Sequence, residues 1–291
     1  MRADAAKVYD SLEHGIRLLR EKAGWSSGKA MLKEEAKRLN AVSIMYHDVI
    51  ERGDSSASGF AGAGPAIYKL DRDEFARHLE AIRNARPVGR ELLLTFDDGG
   101  LSAYAPVAGM LEQYGWHGYF FVTTDWIGRP GFLNAEQIRE LDRRGHVIGS
   151  HSCTHPERMS REPWECLLAE WKGSTERLAS IVAHPIKVAS VPGGYYSRRV
   201  AEAAAAAGIE TLFTSEPTAR TRTVNGCRVL GRYTVQRGMG PEWPAGFAAG
   251  MLAPRLRQAV LWNAKAVAKA LGGPLYLRVR AVILRTSNRN N

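Results

Sequence analysis

Cysteine is scarce in this 291-residue chain: Cys153, Cys166 and Cys227 are three, an odd number, and widely spaced. They form neither a disulfide framework nor a paired-thiol metal knuckle, so reduced thiols are expected, with Cys153 read as a small buried filler in preference to a reactive thiol. Long apolar runs are missing too. None approaches the roughly 20 residues that span a bilayer, which excludes a helical membrane-spanning protein. Residues 1–40 carry charges throughout and lack the apolar stretch and cleavage site of a secretory leader. Together these absences predict a cytoplasmic protein. There is no internal repeat and no known nucleic-acid module, so no nucleic-acid partner is expected despite the charge.

What is present is an ordinary globular composition, 45% hydrophobic and 24% charged, with a formal net charge of +10 and a pI of about 9.7. That balance favours anionic partners such as phosphate-bearing glycans or acidic lipid headgroups. Bases gather towards the C-terminus, from Arg255 and Arg257 to Arg285 and Arg289. They read either as a solvated helix face or as a patch for a membrane surface, which would be the inner face.

The chain divides into a charged helical extension (1–40), a central domain (41–240) and a basic helical extension (241–291). Ala41 to Tyr46 suits a buried strand, and the Gly-, Ser- and Ala-rich stretch from Ser55 to Pro65 a mobile loop. A regular alternation follows. Asp71 is placed to cap a helix that carries Phe75, Leu79 and Ile82 on one face. Strands are expected over 91–96, 118–123, 147–150, 187–191 and 209–214. Helices are expected over 102–114, from Asn134 to near Gly145 behind an Asn134/Gln137 capping box, over 162–182 and over 198–207. Strands alternating with helices argue for βα units and a parallel sheet, and strands this apolar fit a barrel buried on both faces. In such barrels the chemistry sits on loops after the strand C-termini.

Three motifs fall just there. LLLTFDDG (Leu92 to Gly99) runs an apolar strand into two carboxylates. Neighbouring strand residues point to opposite faces, so Asp97 and Asp98 serve one pocket only if the chain turns at Gly99 and Gly100; a solvated turn is the plain alternative. GSHSCTHP (Gly149 to Pro156) ends a strand in two histidines four residues apart, a spacing that one helical turn would bring to the same side. With Asp98, His151 and His155 would offer one oxygen and two nitrogens and leave positions open for water and substrate. ASVPGGYY (Ala189 to Tyr196) has Pro192, Gly193 and Gly194, which allow backbone amides to approach an oxyanion, or simply make a turn.

Taken together with VSIMYHDV (Val42 to Val49), HGYFFVTTDWIG, AGIETLFTS and VLGRYTV, these motifs resemble the polysaccharide deacetylase family and its NodB homology domain, over roughly Val42 to Val235. The resemblance implies an α/β fold, an incomplete and distorted (β/α) barrel. It implies that Asp97 is the general base, and that Asp98, His151 and His155 bind one divalent metal ion. That ion is usually zinc, with cobalt, nickel or manganese accepted. Ser152 and Thr154 would fix the histidines. The loop Pro192, Gly193, Gly194 and Tyr195 would bind substrate, with the Tyr195 amide as oxyanion donor. The implied activity is hydrolysis of N-acetyl groups on an amino-sugar glycan or glycan precursor.

Two features of the pattern are absent. The arginine that many members place before the proline loop is replaced by Ala189-Ser190-Val191, and no histidine follows His184 to act as a late general acid. His47, after the first strand, is the preferred acid; Asp48 and Asp125 are weaker candidates for the pocket. His184 itself is expected in a loop. Removal of an O-acetyl or N-formyl group, or a catalytically silent glycan-binding role, are the alternative functions.

Overall fold

The computed structural model describes residues 41–51, 54, 56–85, 91–260 and 262–263. The N-terminal extension and most of the C-terminal one lie outside the described residues. In chain order the strands are β1 (Val42–Tyr46), β2 (Val49–Ile50), β3 (Leu70–Asp71), β4 (Leu92–Phe96), β5 (Gly118–Val122), β6 (Val147–Ser150), β7 (Val188–Ser190), β8 (Thr211–Phe213), β9 (Arg222–Val224), β10 (Cys227–Leu230) and β11 (Tyr233–Thr234). The main helices are α1 (Arg72–Asn84), α2 (Val107–Glu112), α3 (Ala135–Arg143), α4 (Trp164–Val182), α5 (Arg198–Ala206), α6 (Glu242–Ala248) and α7 (residues 252–260).

Nine strands form one sheet in the order β11-β1-β4-β5-β6-β7-β8-β10-β9, and β2 and β3 form a small parallel pair. Every pairing in the large sheet is parallel except β9 with β10. The sheet curls into a half-barrel that does not close, the incomplete (β/α) barrel expected from the sequence. Register then aligns the strand ends. Tyr46 pairs with Phe96 and Phe96 with Phe120, while Val122 pairs with Ser150 and Ser150 with Ala189. The residues that follow β1, β4, β6 and β7 therefore emerge together at the C-terminal end.

Apolar burial sets this geometry. One face of the sheet packs Val42, Ile44, Leu94, Phe96 and Phe120 against Phe75, Leu79 and Ile82 of α1 and Leu111 of α2. A second cluster joins Trp171 of α4 to Val200 and Ala204 of α5. A third, made of Leu93, Phe121, Phe213 and Leu230, fills the inside of the half-barrel. Each such side chain contributes on the order of 1.5–3 kcal/mol. Among the described residues no helix is long and apolar enough to cross a membrane.

Local differences from the sequence reading have local causes. Asp71 makes no capping bond; its carboxylate accepts from Arg237 Nη2 at 2.6 Å instead. The helix expected over 102–114 is split into a short 3-10 turn (Leu101–Ala103) and α2, because Pro106 brings no N–H to the helical ladder. The Asn134/Gln137 box forms in both directions at 2.9 Å. The 55–65 stretch, expected to be mobile, is pinned at Ser58 and Gly59, both buried, with the Gly59 amide donating to Gly131 O at 2.8 Å. The hairpin of β9 and β10, and β11, were not anticipated as strands.

After β10 the chain crosses from one end of the sheet to the other, because β10 lies beside β8 and β11 beside β1. Gly231 makes that crossing possible. A Cβ there would stand 2.3 Å from Glu216 O and 2.5 Å from Thr218 O, which only a glycine avoids.

Opposite the site end, His146 is buried. Its Nδ1 accepts from Gly118 N at 3.0 Å and its Nε2 lies 3.0 Å from Glu112 Oε1. The Gly118 bond requires an unprotonated Nδ1. Burial lowers its pKa below the ordinary value, against the pull of Glu112. Such a group is neutral when folded and charges more readily when unfolded. Its contribution is therefore complete above about pH 6.5 and falls as pH drops below that. Urea unfolding should show stability declining from pH 6.5 to 5, with a shallower decline in His146→Asn; an unchanged slope would remove His146 from the account.

Candidate active site

The four residues that follow β4 and β6 converge. Asp98 turns the chain with φ 79° and Gly99 continues with φ 81°, so the two carboxylates leave the strand towards one pocket. A Cβ on Gly99 would press within 3.0–3.3 Å of Val122. Asp98 Oδ1 lies 3.4 Å from His151 Nε2 and 3.6 Å from His155 Nε2. All three ligand atoms fall within 4.8 Å of one another. Separations of that size suit donors each about 2 Å from a shared cation, and one carboxylate with two imidazoles is a donor set zinc-like ions accept. The residues present fit the ion.

The histidines do not meet through a helical turn, as their spacing had suggested. Residues 151–155 are non-helical, and both Ser152 (φ 65°) and His155 (φ 62°) are left-handed. Such conformations cost of order 1–3 kcal/mol each and persist only where surroundings impose them. Here a relay of short bonds does so. Ser150 Oγ is 2.6 Å from Ser174 Oγ and accepts from Ser152 N, while Ser152 Oγ accepts from His155 N at 3.1 Å. Glu170 of α4 accepts from Cys153 N (2.8 Å), Thr154 N (2.9 Å) and Thr154 Oγ1 (2.7 Å). Cys153 is half-buried against α4.

Asp97 is buried and held by Arg232, whose Nη1 and Nη2 donate to its two oxygens at 2.6 and 2.7 Å. Arg232 is itself fully buried. It donates to Thr214 O and Thr95 Oγ1, both at 3.1 Å, and lies over the rings of Phe121 and Phe213. The chain has no arginine before the proline loop, and a guanidinium reaches Asp97 from the β10–β11 crossing instead. Where Ala189-Ser190-Val191 lacks that arginine, Ser190 adds another link. Its Oγ donates to Asp97 Oδ1 at 3.1 Å and lies 2.6 Å from His151 Nδ1. A carboxylate here only accepts, so the serine proton points to Asp97 and its lone pairs receive Nδ1–H. That leaves Nε2 of His151 facing Asp98.

The electrostatics follow. Burial pushes the Asp97 carboxyl upwards, but Arg232 and His151 outweigh it, and the pKa lies below the ordinary value. Burial acts on Asp98 likewise and is outweighed by its bond to His151 and by His47 and His155. Burial and His151 lower His155. His47 stacks on Tyr68 at 4.5 Å, its Nδ1 is buried without a hydrogen-bond partner, and its charge acts on both aspartates. Asp48 is buried one residue on, accepting from Ser58 Oγ and Ser102 Oγ, and burial raises its pKa.

The remaining sequence candidates scatter. Asp125 is exposed, 3.7 Å from Arg177. His184 lies in its loop, 2.8 Å from Asp142. Pro192 to Gly194 form a 3-10 turn after β7, and the Tyr195 amide makes a 3.4 Å bond to Pro192 O. Phe60, Trp126 and Phe132 form an aromatic group whose Phe60 ring is 5.0 Å from His155. Arg232, Ser190, Glu170 and Phe60 were missed by sequence reasoning. Only Arg232 carried a signal, a cation straight after the apolar strand of VLGRYTV.

This half-barrel, with two aspartates and two histidines at aligned strand ends, has the architecture of the NodB-type deacetylases. Residues 84–212 match the model of the polysaccharide deacetylase family. YxkH of Bacillus subtilis, named for the same family, is 29% identical over 161 residues, 55% of this chain and 57% of that protein. PdaA of Bacillus subtilis, a peptidoglycan-N-acetylmuramic acid deacetylase, is 27% identical over 128 residues, 43% of this chain and 47% of PdaA. The chain thus spans about half the length of these curated relatives. Among solved structures, the Streptococcus pyogenes deacetylase PplD superimposes with a TM-score of 0.59 at 19% identity, covering 70% of this chain and 95% of PplD. IcaB from Ammonifex degensii gives 0.57 at 23% identity, covering 72% and 97%. At these identities the likeness is one of fold.

Removing Arg232 leaves Asp97 buried without its cation. Arg232→Gln should lose about 3–5 kcal/mol of stability at pH 7. Without the guanidinium, the largest influence holding the Asp97 pKa down is gone and burial pushes it up against His151, so the deficit should shrink as pH falls towards 4. Urea titrations at pH 7 and 4 measure both; a pH-independent deficit would mean the pair is not ionic.

Proposed function

We propose that this protein is a metal-dependent hydrolase that removes N-acetyl groups from an amino-sugar-containing glycan. The observation that carries the reading is the continuous chain His151–Ser190–Asp97–Arg232, which ties a metal-ligand candidate to a buried, ionised carboxylate. A silent binding protein would have little use for it. Asp98, His151 and His155 would hold a divalent cation, zinc in the first instance, which when bound would supply Lewis acidity for an amide carbonyl and lower the pKa of nearby water.

The chain's own residues do the rest. Asp97 Oδ1 already accepts from Arg232 and Ser190, whereas Oδ2 accepts from Arg232 alone. A carboxylate oxygen has two lone pairs, so Oδ2 retains one, and that is where Asp97 takes the proton of the attacking water. Its lowered pKa keeps it ionised at neutral and mildly acidic pH. The Tyr195 amide, at the end of the Pro192–Gly194 turn, is the oxyanion donor in this reading. His47, with its unpartnered Nδ1, is assigned the proton delivered to the leaving amine. Trp126 and Phe60 offer apolar faces to a sugar ring. Arg158 over Tyr195 favours an anionic glycan, phosphate-bearing or carboxylated.

Acetate release from neutral and anionic N-acetyl oligosaccharides tests this, with Asp97→Asn and His155→Ala beside wild type. Asp97→Asn should lose activity about 10²–10⁴-fold with its metal retained. His155→Ala should lose the metal itself by elemental analysis. No acetate from any such substrate by metal-replete wild type would sink the proposal.

A further inference from the structure

A helix on the surface of a globular protein ordinarily turns its apolar side inwards. The last described helix, α7, does the opposite. Its barrel-facing side carries Pro254, Arg255 and Gln258. Gln258 Oε1 accepts from Thr234 N at 3.1 Å and its Nε2 donates to Thr234 O at 2.7 Å, so one side chain covers both backbone groups of edge strand β11. Arg255 Nη2 donates to Phe247 O at 2.8 Å, and its guanidinium lies over Tyr233. On the far side Leu252, Leu256 and Val260 follow one another at four-residue spacing, 73%, 60% and 66% exposed, with Met251 at 55% beside them. Spacing of four keeps them on one stripe. Among the described residues these four are the exposed large apolar side chains, and all lie within ten positions.

Charge identifies what the stripe meets. From Trp243 to Asn291 the sequence has eight bases and no aspartate or glutamate, whereas the preceding residues carry 32 bases against 30 acids. Most of the net charge therefore belongs to the segment that bears the stripe. Arg257, exposed and over Trp243, lies at the rim. A second copy would pair two segments of the same positive charge, which opposes association. A soluble anionic glycan would satisfy the bases and leave the leucines in water. An anionic lipid surface meets both needs, since apolar residues sink to the headgroup–acyl boundary while bases attract acidic headgroups.

We propose that α7 is a peripheral anchor to anionic membranes, with Leu252, Leu256 and Val260 inserting at the interface and the bases of this acid-free stretch of sequence supplying the attraction. The anchor stands independently of the hydrolytic reading. Its test is co-sedimentation of the full chain with phosphatidylcholine vesicles, with and without 30% phosphatidylglycerol, beside the triple variant Leu252→Ser, Leu256→Ser, Val260→Ser. The variant keeps every charge, and its melting temperature should be unchanged because the stripe is exposed. Wild type should partition onto the anionic vesicles at least tenfold more than onto neutral ones, and less in 0.5 M salt. The variant should lose at least tenfold of that partition. Equal binding to neutral vesicles, full binding by the variant, or a dimer in sedimentation that the variant abolishes while vesicles are ignored, would each overturn the proposal.

Discussion

The buried pair of Asp97 and Arg232 ties the site to both ends of the sheet. A carboxylate and a guanidinium, both out of water, are tolerable only when every donor and lone pair is used well. Arg232 therefore reaches Thr95 on β4 and Thr214 after β8 as well as Asp97, and lies over Phe121 and Phe213 within the half-barrel. Those contacts exist only because β10 and β11 sit at opposite ends of the sheet and the chain crosses between them at Gly231. A sheet that closed or ran in a simpler order would deliver the arginine elsewhere. The open topology and the buried, ionised carboxylate of Asp97 depend on one another.

Strain gathers around the same pair. Of the five non-glycine residues with left-handed φ among those described, Asp98, Ser152 and His155 belong to the site. Each is conformationally unfavourable alone, and together they bring the candidate ligand atoms of Asp98, His151 and His155 within 4.8 Å of one another. The restraint comes from behind, through Ser150, Ser174 and Glu170, and two of these are on α4. Packing of Trp171 and Leu178 of α4 into the two apolar clusters thus converts burial into positioning at the site. Hydrophobic energy is spread over many residues, which is why a few strained ones are affordable.

Strand ends and the residues placed on them were legible in the sequence, because short apolar runs followed directly by Asp, His or Pro-Gly carry both signals in adjacent letters. Asp97, Asp98, His151 and His155 meet as that pattern required. What was not legible depends on contacts between distant segments. Arg232 is 135 positions from Asp97, and only the strand order makes them neighbours. The histidine pair was located correctly but its backbone was not, since HSCTH at i, i+4 reads as a helical turn and becomes a left-handed loop once Glu170 captures its amides. Asp71 was misread for a similar reason: a capping residue on paper, it finds a stronger partner in Arg237, 166 positions away.

An open half-barrel also leaves two edge strands, and their unpaired backbone groups invite pairing with other chains. At one edge β9 folds back on β10 as a hairpin. At the other β11 is only two residues long, and the amide of Gln258 takes the place of a tenth strand. Covering an edge with a helix requires polar side chains on the covering face, since apolar ones would bury the free N–H and C=O of Thr234 without partners at a cost of about 1–3 kcal/mol per group. The apolar residues of the same short helix must then point the other way. The outward stripe of α7 is therefore a geometric consequence of guarding β11, and the acid-free sequence around it decides which surface that stripe can meet.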